Sequence, residues 1–276
     1  MMTPQFITSK SVDLAFFEVT RESKKLVFFI HGNSSSAKTW KRQYADPLFS
    51  NYRLIFLELP GHGQSGGSTD PLNDYTLPAL GATMAEAINK LADGLPYIII
   101  AASLGTNIIA EALKFNLHPK GLVLVGPCIT GGKYKFENMV KPGTAVSVVL
   151  TDHAPLDQVE QYASEIILDS DPLIRQEFVN DYLKVKAQFR SSLAMSIQNN
   201  NYSNQIELVK SINVPVLIVF GREEKVIDPH YLNDSPFMLW NDEVIRLSNA
   251  SHLAYIDQSK SFNLTVIEYL ENHFNV

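Results

Sequence analysis

Hydrophobic and polar positions along the chain follow two rhythms. Short runs rich in Val, Ile and Phe alternate with longer stretches whose apolar residues recur every three or four positions. The short runs predict strands over Val12–Val19, Lys25–His31, Tyr52–Leu59, Tyr97–Ala102, Gly121–Val125, Val214–Phe220 and Glu243–Leu247. Several of them (LVFFI, YIII, LVLV, VLIVF) are apolar on both alternating sets, as strands covered by helices on both faces must be. The longer stretches predict helices over Ser36–Pro47, Leu77–Leu91, Leu104–Phe115 and Lys260–Asn275. In the last, Phe262, Val266, Ile267, Tyr269 and Leu270 fall at helical spacing. Such alternation builds an α/β fold with a mostly parallel, doubly wound sheet.

Between about Pro127 and Ser211 the rhythm changes. Helical patterns over Leu156–Leu168, Pro172–Gln188 and Ser191–Ile197 follow one another with no core strand between them. Inserted between two strands, residues 128–211 read as a helical cap over the sheet's carboxyl edge, where open α/β sheets bind ligands. Residues 1–127 and 212–276 then form the core.

Composition narrows the field further. The 276 residues carry 23 basic and 29 acidic side chains, a net charge of −6, with 45% hydrophobic residues. A chain this long buries enough surface to hold a core unaided, and it has no basic excess to attract nucleic acid or an anionic membrane. The single cysteine, Cys128, cannot form an internal disulfide. The start, MMTPQFITSKSVDLAFF, lacks the basic head and apolar run of a signal peptide, and no window reaches the length of a membrane span. The cytoplasm is therefore the expected compartment. Neither H-x-H-x-D-H nor H-E-x-x-H occurs, so no metal is expected. Gly61, Gly63 and Gly66 keep a bare G-x-G-x-x-G spacing, but Pro60 and the Ser/Gly-rich continuation argue for a loop, so no dinucleotide or other cofactor is expected.

The candidate chemistry begins at YIIIAASLGTN, a strand followed by Ser103, Gly105 and a helix. A serine on a tight strand-to-helix turn exposes its hydroxyl above the free N–H groups of the helix start. Ala101 stands where the G-x-S-x-G pattern has its first glycine. Taken alone, Ser103 is equally readable as a helix N-cap. Upstream, a strand ends in His31-Gly32-Asn33, and the N–H groups of Asn33 and Leu104 are candidates for an oxyanion hole. Downstream, GREEKVID places Glu223, Glu224 and Asp228 just past one strand, and NASHLAYID places His252 just past the next. Serine, acid and histidine in that chain order fit a triad on this kind of sheet. His31 and His62 flank turns and read as loop ties, while His118, His153, His230 and His273 lie in polar text and read as solvated.

With HGN, LPGHGQS, SLG, GREE and ASH in this order around a cap, the chain resembles the α/β-hydrolase superfamily over nearly its whole length. Within it, the chain is most similar to the α/β-hydrolase type of N-acyl-homoserine lactonase. The features that carry this are HGNSSS at residues 31–36, GRxE with a glutamate acid, and the cap segment VEQYAS at 159–164. The resemblance implies Ser103 as nucleophile, His252 as base and Glu224 as triad acid, with Asp228 as the other acid to weigh. It also implies a substrate contact from the cap at Tyr162, a residue that on its own reads as a packed aromatic. Ser251 replaces the glycine usual before the histidine.

The expected activity is hydrolysis of an ester or lactone through an acyl-enzyme, foremost ring opening of N-acyl-homoserine lactones. A carboxylesterase or carbon–carbon hydrolase on the same residues, or a non-catalytic ligand-binding protein of this fold, are the alternatives. The partner is then a small molecule. Val146, Val148, Val149, Leu150, Ile166 and Ile167 offer either a wall for an acyl chain or packing for the cap.

Overall fold

The structure, a computed structural model, describes residues 3–274. Its strands are β1 (Gln5–Ser9), β2 (Val12–Val19), β3 (Leu26–Ile30), β4 (Arg53–Leu57), β5 (Tyr97–Ala102), β6 (Gly121–Val125), β7 (Val216–Gly221) and β8 (Ile245–Leu247). They form one sheet in the order β1-β2-β4-β3-β5-β6-β7-β8. The pairs β1–β2 and β2–β4 are antiparallel, and all the others are parallel. Every residue of β3, β5, β6 and β7 is buried, so the doubly apolar runs are strands with helices on both faces. The main helices are α1 (Leu77–Ala92), α2 (Leu104–Ala112), α3 (Leu156–Ile166), α4 (Pro172–Tyr182), α5 (Phe189–Gln198), α6 (Gln205–Ser211) and α7 (Ser259–Phe274). On α7, Phe262, Val266, Tyr269 and Leu270 face the core. The last residue of that predicted helix, Asn275, lies outside the described residues.

The chain steps outward from β3 to β4, then returns to lay β5 on the other side of β3. This reversal opens a crevice at the carboxyl ends of β3 and β5, the place where such sheets bind ligands. Gly32 and Ser103 follow those two strand ends. Between β6 and β7 the chain adds no strand to the sheet and instead runs through α3, α4, α5 and α6.

Three features depart from the sequence-based expectation, besides the helix expected over Pro172–Gln188, which ends at Tyr182. The helix expected over Ser36–Pro47 is broken into a 3-10 turn at Ala37–Trp40, one α-turn at Lys41–Tyr44 and a second 3-10 turn at Pro47–Phe49. Pro47 drives the preceding Asp46 to extended backbone, and the Asp46 carboxylate then caps the next turn by accepting from the Leu48 N–H. Strand β1 is additional to the expected strands. It is an edge strand with little burial, and its two-residue turn to β2 is Lys10-Ser11, both at positive φ, without the Asn-Gly that usually announces such a hairpin. Helix α6 is also additional, being short and starting from the Asn204 cap in polar text.

One contact ties the sheet to the loop before α7. A Cβ on Gly221 would lie 2.0 Å from the Ala250 carbonyl oxygen and 2.4 Å from that of Ser251. The end of β7 therefore presses directly on the backbone that delivers His252. Gly221→Ala is expected to cost about 1–3 kcal/mol of stability through this backbone overlap, read as a lower urea midpoint, together with a loss of turnover. An unchanged midpoint would show that the two segments move apart freely.

Candidate active site

Ser103 sits between β5 and α2 with φ 50° and ψ −126°. That conformation is costly for a residue with a side chain, and it persists only where the surroundings enforce it. Here two glycines do so. A Cβ on Gly32 would lie 2.9 Å from the Ser103 Cβ, and a Cβ on Gly105 would lie 2.6 Å from the His31 carbonyl oxygen. The loop after β3 thus presses against the turn after β5 at van der Waals distance. Ser103 occupies the N-cap position of α2, yet its hydroxyl caps nothing. It is instead hydrogen-bonded to the imidazole of His252, with Nε2···Oγ at 2.9 Å.

The other ring nitrogen of His252, Nδ1, lies 2.8 Å from Oε2 of Glu224. The second oxygen of that carboxylate accepts from the backbone N–H groups of Val226 and Ile227. Glu224 and His252 are buried, 1% and 2% exposed, so their pairing operates away from water. The other two acids go elsewhere. Glu223 accepts from the Ala250 N–H, and Asp228 folds a turn by accepting from the His230 N–H, with no helix following it. The structure thus brings Ser103, His252 and Glu224 together and leaves Glu223 and Asp228 out. A carboxylate–imidazole–hydroxyl chain of this kind can draw the proton from the hydroxyl as it attacks an electrophile, the carboxylate supporting the imidazolium that forms.

The backbone N–H groups of Asn33 and Leu104 donate to no protein group among the described residues. The Asn33 side chain is fixed from the inserted helices: its Nδ2 donates to the Val149 carbonyl (2.7 Å), while Arg190 Nε donates to the Ser34 hydroxyl, which donates on to Asn33 Oδ1. Beneath this loop lie His31 and His62, both buried, with ring centroids 5.3 Å apart. Each uses its Nε2 to accept a backbone N–H, of Leu59 for His31 and of Ser34 for His62. Each therefore carries its proton on Nδ1 and donates it to a backbone carbonyl, of Gly32 and Pro60 respectively. The pair stitches the loop after β3 to the loop after β4, as the sequence suggested. Burial drives His31 down to about 4 and His62 well below its usual range, where neighbouring His31 also lowers it. Of the other histidines, His118, His153 and His230 are exposed, whereas His273 is half-buried, stacked on Tyr269 and bonded to its carbonyl.

The loop carrying His252 is fastened to the inserted segment. Leu253 N–H donates to the Ile166 carbonyl (3.0 Å), and the Ser251 hydroxyl donates to the Glu165 carbonyl (2.6 Å). The Asp257 carboxylate accepts from the N–H groups of Ser251, Leu168 and Asp169. Ser251, in place of a glycine, thus gains a bond that glycine cannot make, and Asp257 did not stand out in the sequence as part of the site.

Above Ser103 lies a cavity of about 170 Å³. Its floor is Asn33, Ser103, Leu104, Asn107 and His252, and the insert supplies most of an apolar roof, including Phe136, Val146, Val149, Leu150 and Leu193. Of the six aliphatic candidates, Val146, Val149 and Leu150 line this cavity, whereas Val148, Ile166 and Ile167 pack in the core. Tyr162 on α3 does both. Its ring is 4% exposed and packs near Phe178, yet it borders the cavity, and its hydroxyl has no hydrogen-bond partner among the described residues. Burial raises that hydroxyl far above the usual tyrosine range, so it is a neutral donor. Cys128 borders the same cavity, and burial together with the Glu224 carboxylate pushes its thiol up to about 12. Among the described residues no group of three or more His, Cys, Asp or Glu is placed to hold a metal ion, and no helix is long and apolar enough to cross a membrane.

Residues 21–234 match the family described as serine aminopeptidase, S33. The chain belongs to that family of α/β-hydrolases. This hydrolase is 33% identical over 153 residues to "Probable lysophospholipase BODYGUARD 2" of Arabidopsis thaliana, a match covering 51% of the chain and 31% of the relative. The chain thus spans about a third of that relative's length. It is 20% identical over 264 residues to the monoacylglycerol lipase ABHD6 of Rattus norvegicus, covering 91% of the chain and 77% of the lipase. Among solved structures, a mutant of the N-acyl homoserine lactonase AidH complexed with N-hexanoyl homoserine lactone matches with a TM-score of 0.90 over 100% of both chains, at 20% identity. That likeness is one of fold. Membership of that family makes the chain an α/β-hydrolase.

The His31–His62 pair generates a test of its own. An unfolded chain protonates both rings as the pH falls through about 6.5, whereas the folded hydrolase holds His31 neutral down to about 4. The pair's contribution to stability is therefore fully present above pH 6.5 and is lost toward pH 4, at about 1.4 kcal/mol per pH unit for each ring that remains neutral. Imidazole NMR signals of both residues are expected to stay in the Nδ1–H form from pH 8 to 5. A midpoint near 6.5 at either residue would contradict the geometry.

Proposed function

We propose that the enzyme opens the lactone ring of N-acyl-homoserine lactones through an acyl-enzyme formed on Ser103, with residues 128–211 acting as a cap on the core of residues 1–127 and 212–276. The observation that carries this reading is a free, neutral Tyr162 hydroxyl at the edge of a cavity with an apolar roof above the Ser103–His252–Glu224 chain. A substrate with an apolar tail, a polar linkage and a reactive carbonyl suits that layout. The tail gains about 0.8 kcal/mol per buried CH₂ against the roof. The full-length fold match to a lactonase supports the same reading.

In the reaction, Ser103 Oγ bonds to the lactone carbonyl carbon as its proton passes to His252 Nε2, and Glu224 balances the imidazolium. The N–H groups of Asn33 and Leu104 hold the oxyanion, each such donor contributing a few kcal/mol in general. Collapse breaks the ring C–O bond, and His252 returns the proton to the departing alkoxide. That hydroxyl remains tethered to the acyl group and can re-close the ring, so Tyr162 holds a substrate carbonyl while the hydroxyl swings away. Water, deprotonated by His252, then adds to the acyl carbon, and Ser103 leaves with its proton restored.

One observation separates this from an aminopeptidase. No acidic side chain lines the cavity among the described residues, so the free α-amino group of an aminopeptidase substrate would be buried without a counter-charge, which is costly. The apolar roof also suits a carboxylesterase acting on a fatty acyl ester, as the resemblance to a monoacylglycerol lipase suggests, and this is the second reading.

Acid release from a panel of acyl-homoserine lactones, measured beside p-nitrophenyl esters, decides between them: turnover of esters without any lactone selects the carboxylesterase. A fluorophosphonate is expected to label Ser103, and Ser103→Ala to abolish both labelling and turnover with an unchanged circular dichroism spectrum. Glu224→Gln is expected to lower kcat by about 10³–10⁴, while Asp228→Asn leaves it within about threefold. The reverse ranking would reassign the acid.

A further inference from the structure

The strongest unused feature of the cavity is Asn107. It lies one turn beyond Ser103 on α2, about 6 Å along the helix axis, and helical side chains lean back toward the helix start. Asn107 is 1% exposed and borders the cavity. Both hydrogens of its Nδ2 are in use: one goes to the Cys128 carbonyl at 2.7 Å, the other to Gln205 Oε1 at 2.8 Å. Its Oδ1 has no hydrogen-bond partner among the described residues, and it is not sealed from the cavity.

The orientation of this amide is forced. The Cys128 carbonyl can only accept, so Nδ2 must face it. Gln205 Oε1 also accepts from the Thr130 N–H at 3.1 Å, which fixes it as an oxygen. The Gln205 Nε2 donates to the buried carboxylate of Glu111, which also receives the N–H and hydroxyl of Ser203. From Glu111 through Gln205 to Asn107 each side-chain polar atom has a partner, with one exception. The chain ends in a lone acceptor on a residue that lines the space above the serine.

We infer that Asn107 is a substrate-binding residue whose Oδ1 accepts a hydrogen bond from an amide N–H on the acyl side of the scissile carbonyl. The inference rests on Ser103 attacking in this cavity. An amide N–H is the matching group because it only donates. A hydroxyl brings lone pairs as well, and Asn107 has no hydrogen left to give them. An unused acceptor in an apolar setting also penalises any substrate that leaves it unpaired. The site therefore selects α-acylamino esters and lactones over plain ones.

The test uses two p-nitrophenyl esters differing at one atom: that of N-acetylalanine, and that of 2-acetoxypropionic acid, in which oxygen replaces the N–H. The enzyme is expected to favour the first by about tenfold in kcat/KM. Asn107→Leu is expected to erase that preference, slowing the amide ester about tenfold more than it slows the acetoxy ester. Equal rates for the two esters with the unaltered enzyme overturn the inference, whether or not the variant folds. So does an Asn107→Leu variant that slows both esters equally, which marks a packing role. A preference for glyceryl butyrate over propyl butyrate that Asn107→Leu erases, with no amide preference, gives the acceptor to the leaving alcohol and overturns the amide assignment. If Ser103→Ala hydrolyses the esters as well as the unaltered enzyme, the premise has failed instead, and the inference falls with it.

Discussion

The imidazole of His252 is pinned at both ends, by a buried carboxylate on one nitrogen and a serine hydroxyl on the other, and the arrangement of the molecule follows from keeping it there. An ion-pair partner with no water around it can stabilise an imidazolium far more than an exposed one, but only if its remaining lone pairs are satisfied. The N–H groups of Val226 and Ile227 do that for Glu224. Position matters as much as charge. Ser103 is held in a conformation that side-chain-bearing residues avoid, by backbone packed where Gly32 and Gly105 leave room. Strain at one residue is stabilised by close packing of two strand ends.

The inserted helices do more than roof the cavity. Through Arg190, Val149 and Ser34 they orient Asn33, and through Gln205 they orient Asn107, so polar groups on the floor are aimed from above. Hydrogen-bond direction passes along these chains because each contains a group that can only donate or only accept. A backbone carbonyl, a carboxylate or a guanidinium at one end leaves the amides between no alternative orientation.

How much of this is legible in the sequence depends on the range of the signal. The buried strands carry theirs in a few consecutive residues, and β2, β5 and β6 match the expected limits residue for residue. Ser103, Glu224 and His252 can be named because each follows a strand end in a short motif, and the sheet order then brings those ends to one edge. The edge strand β1 lacks both an apolar face and a turn signature. The helical run expected over residues 36–47 stops at Tyr44, where the pull of Pro47 on Asp46 outweighs the apolar spacing. Asn107 does not stand out, although its place four residues after Ser103 puts it on the same helix face. Its meaning lies in Gln205 and Glu111, which only the fold brings near. Ser251 is visible as an oddity before the histidine, but its partner, the Glu165 carbonyl, is 86 residues away in sequence.

The attachment of that histidine loop to the end of α3 has a mechanical consequence. Ser251 and Leu253, on either side of His252, both donate to carbonyls of the insert. A roof riveted to the loop of His252 cannot hinge open as a rigid flap without dragging the imidazole off its serine. Molecules must therefore enter by flexing of the side chains and loops at the rim, and an exchange of roofs between relatives would have to carry the matching histidine loop along with it.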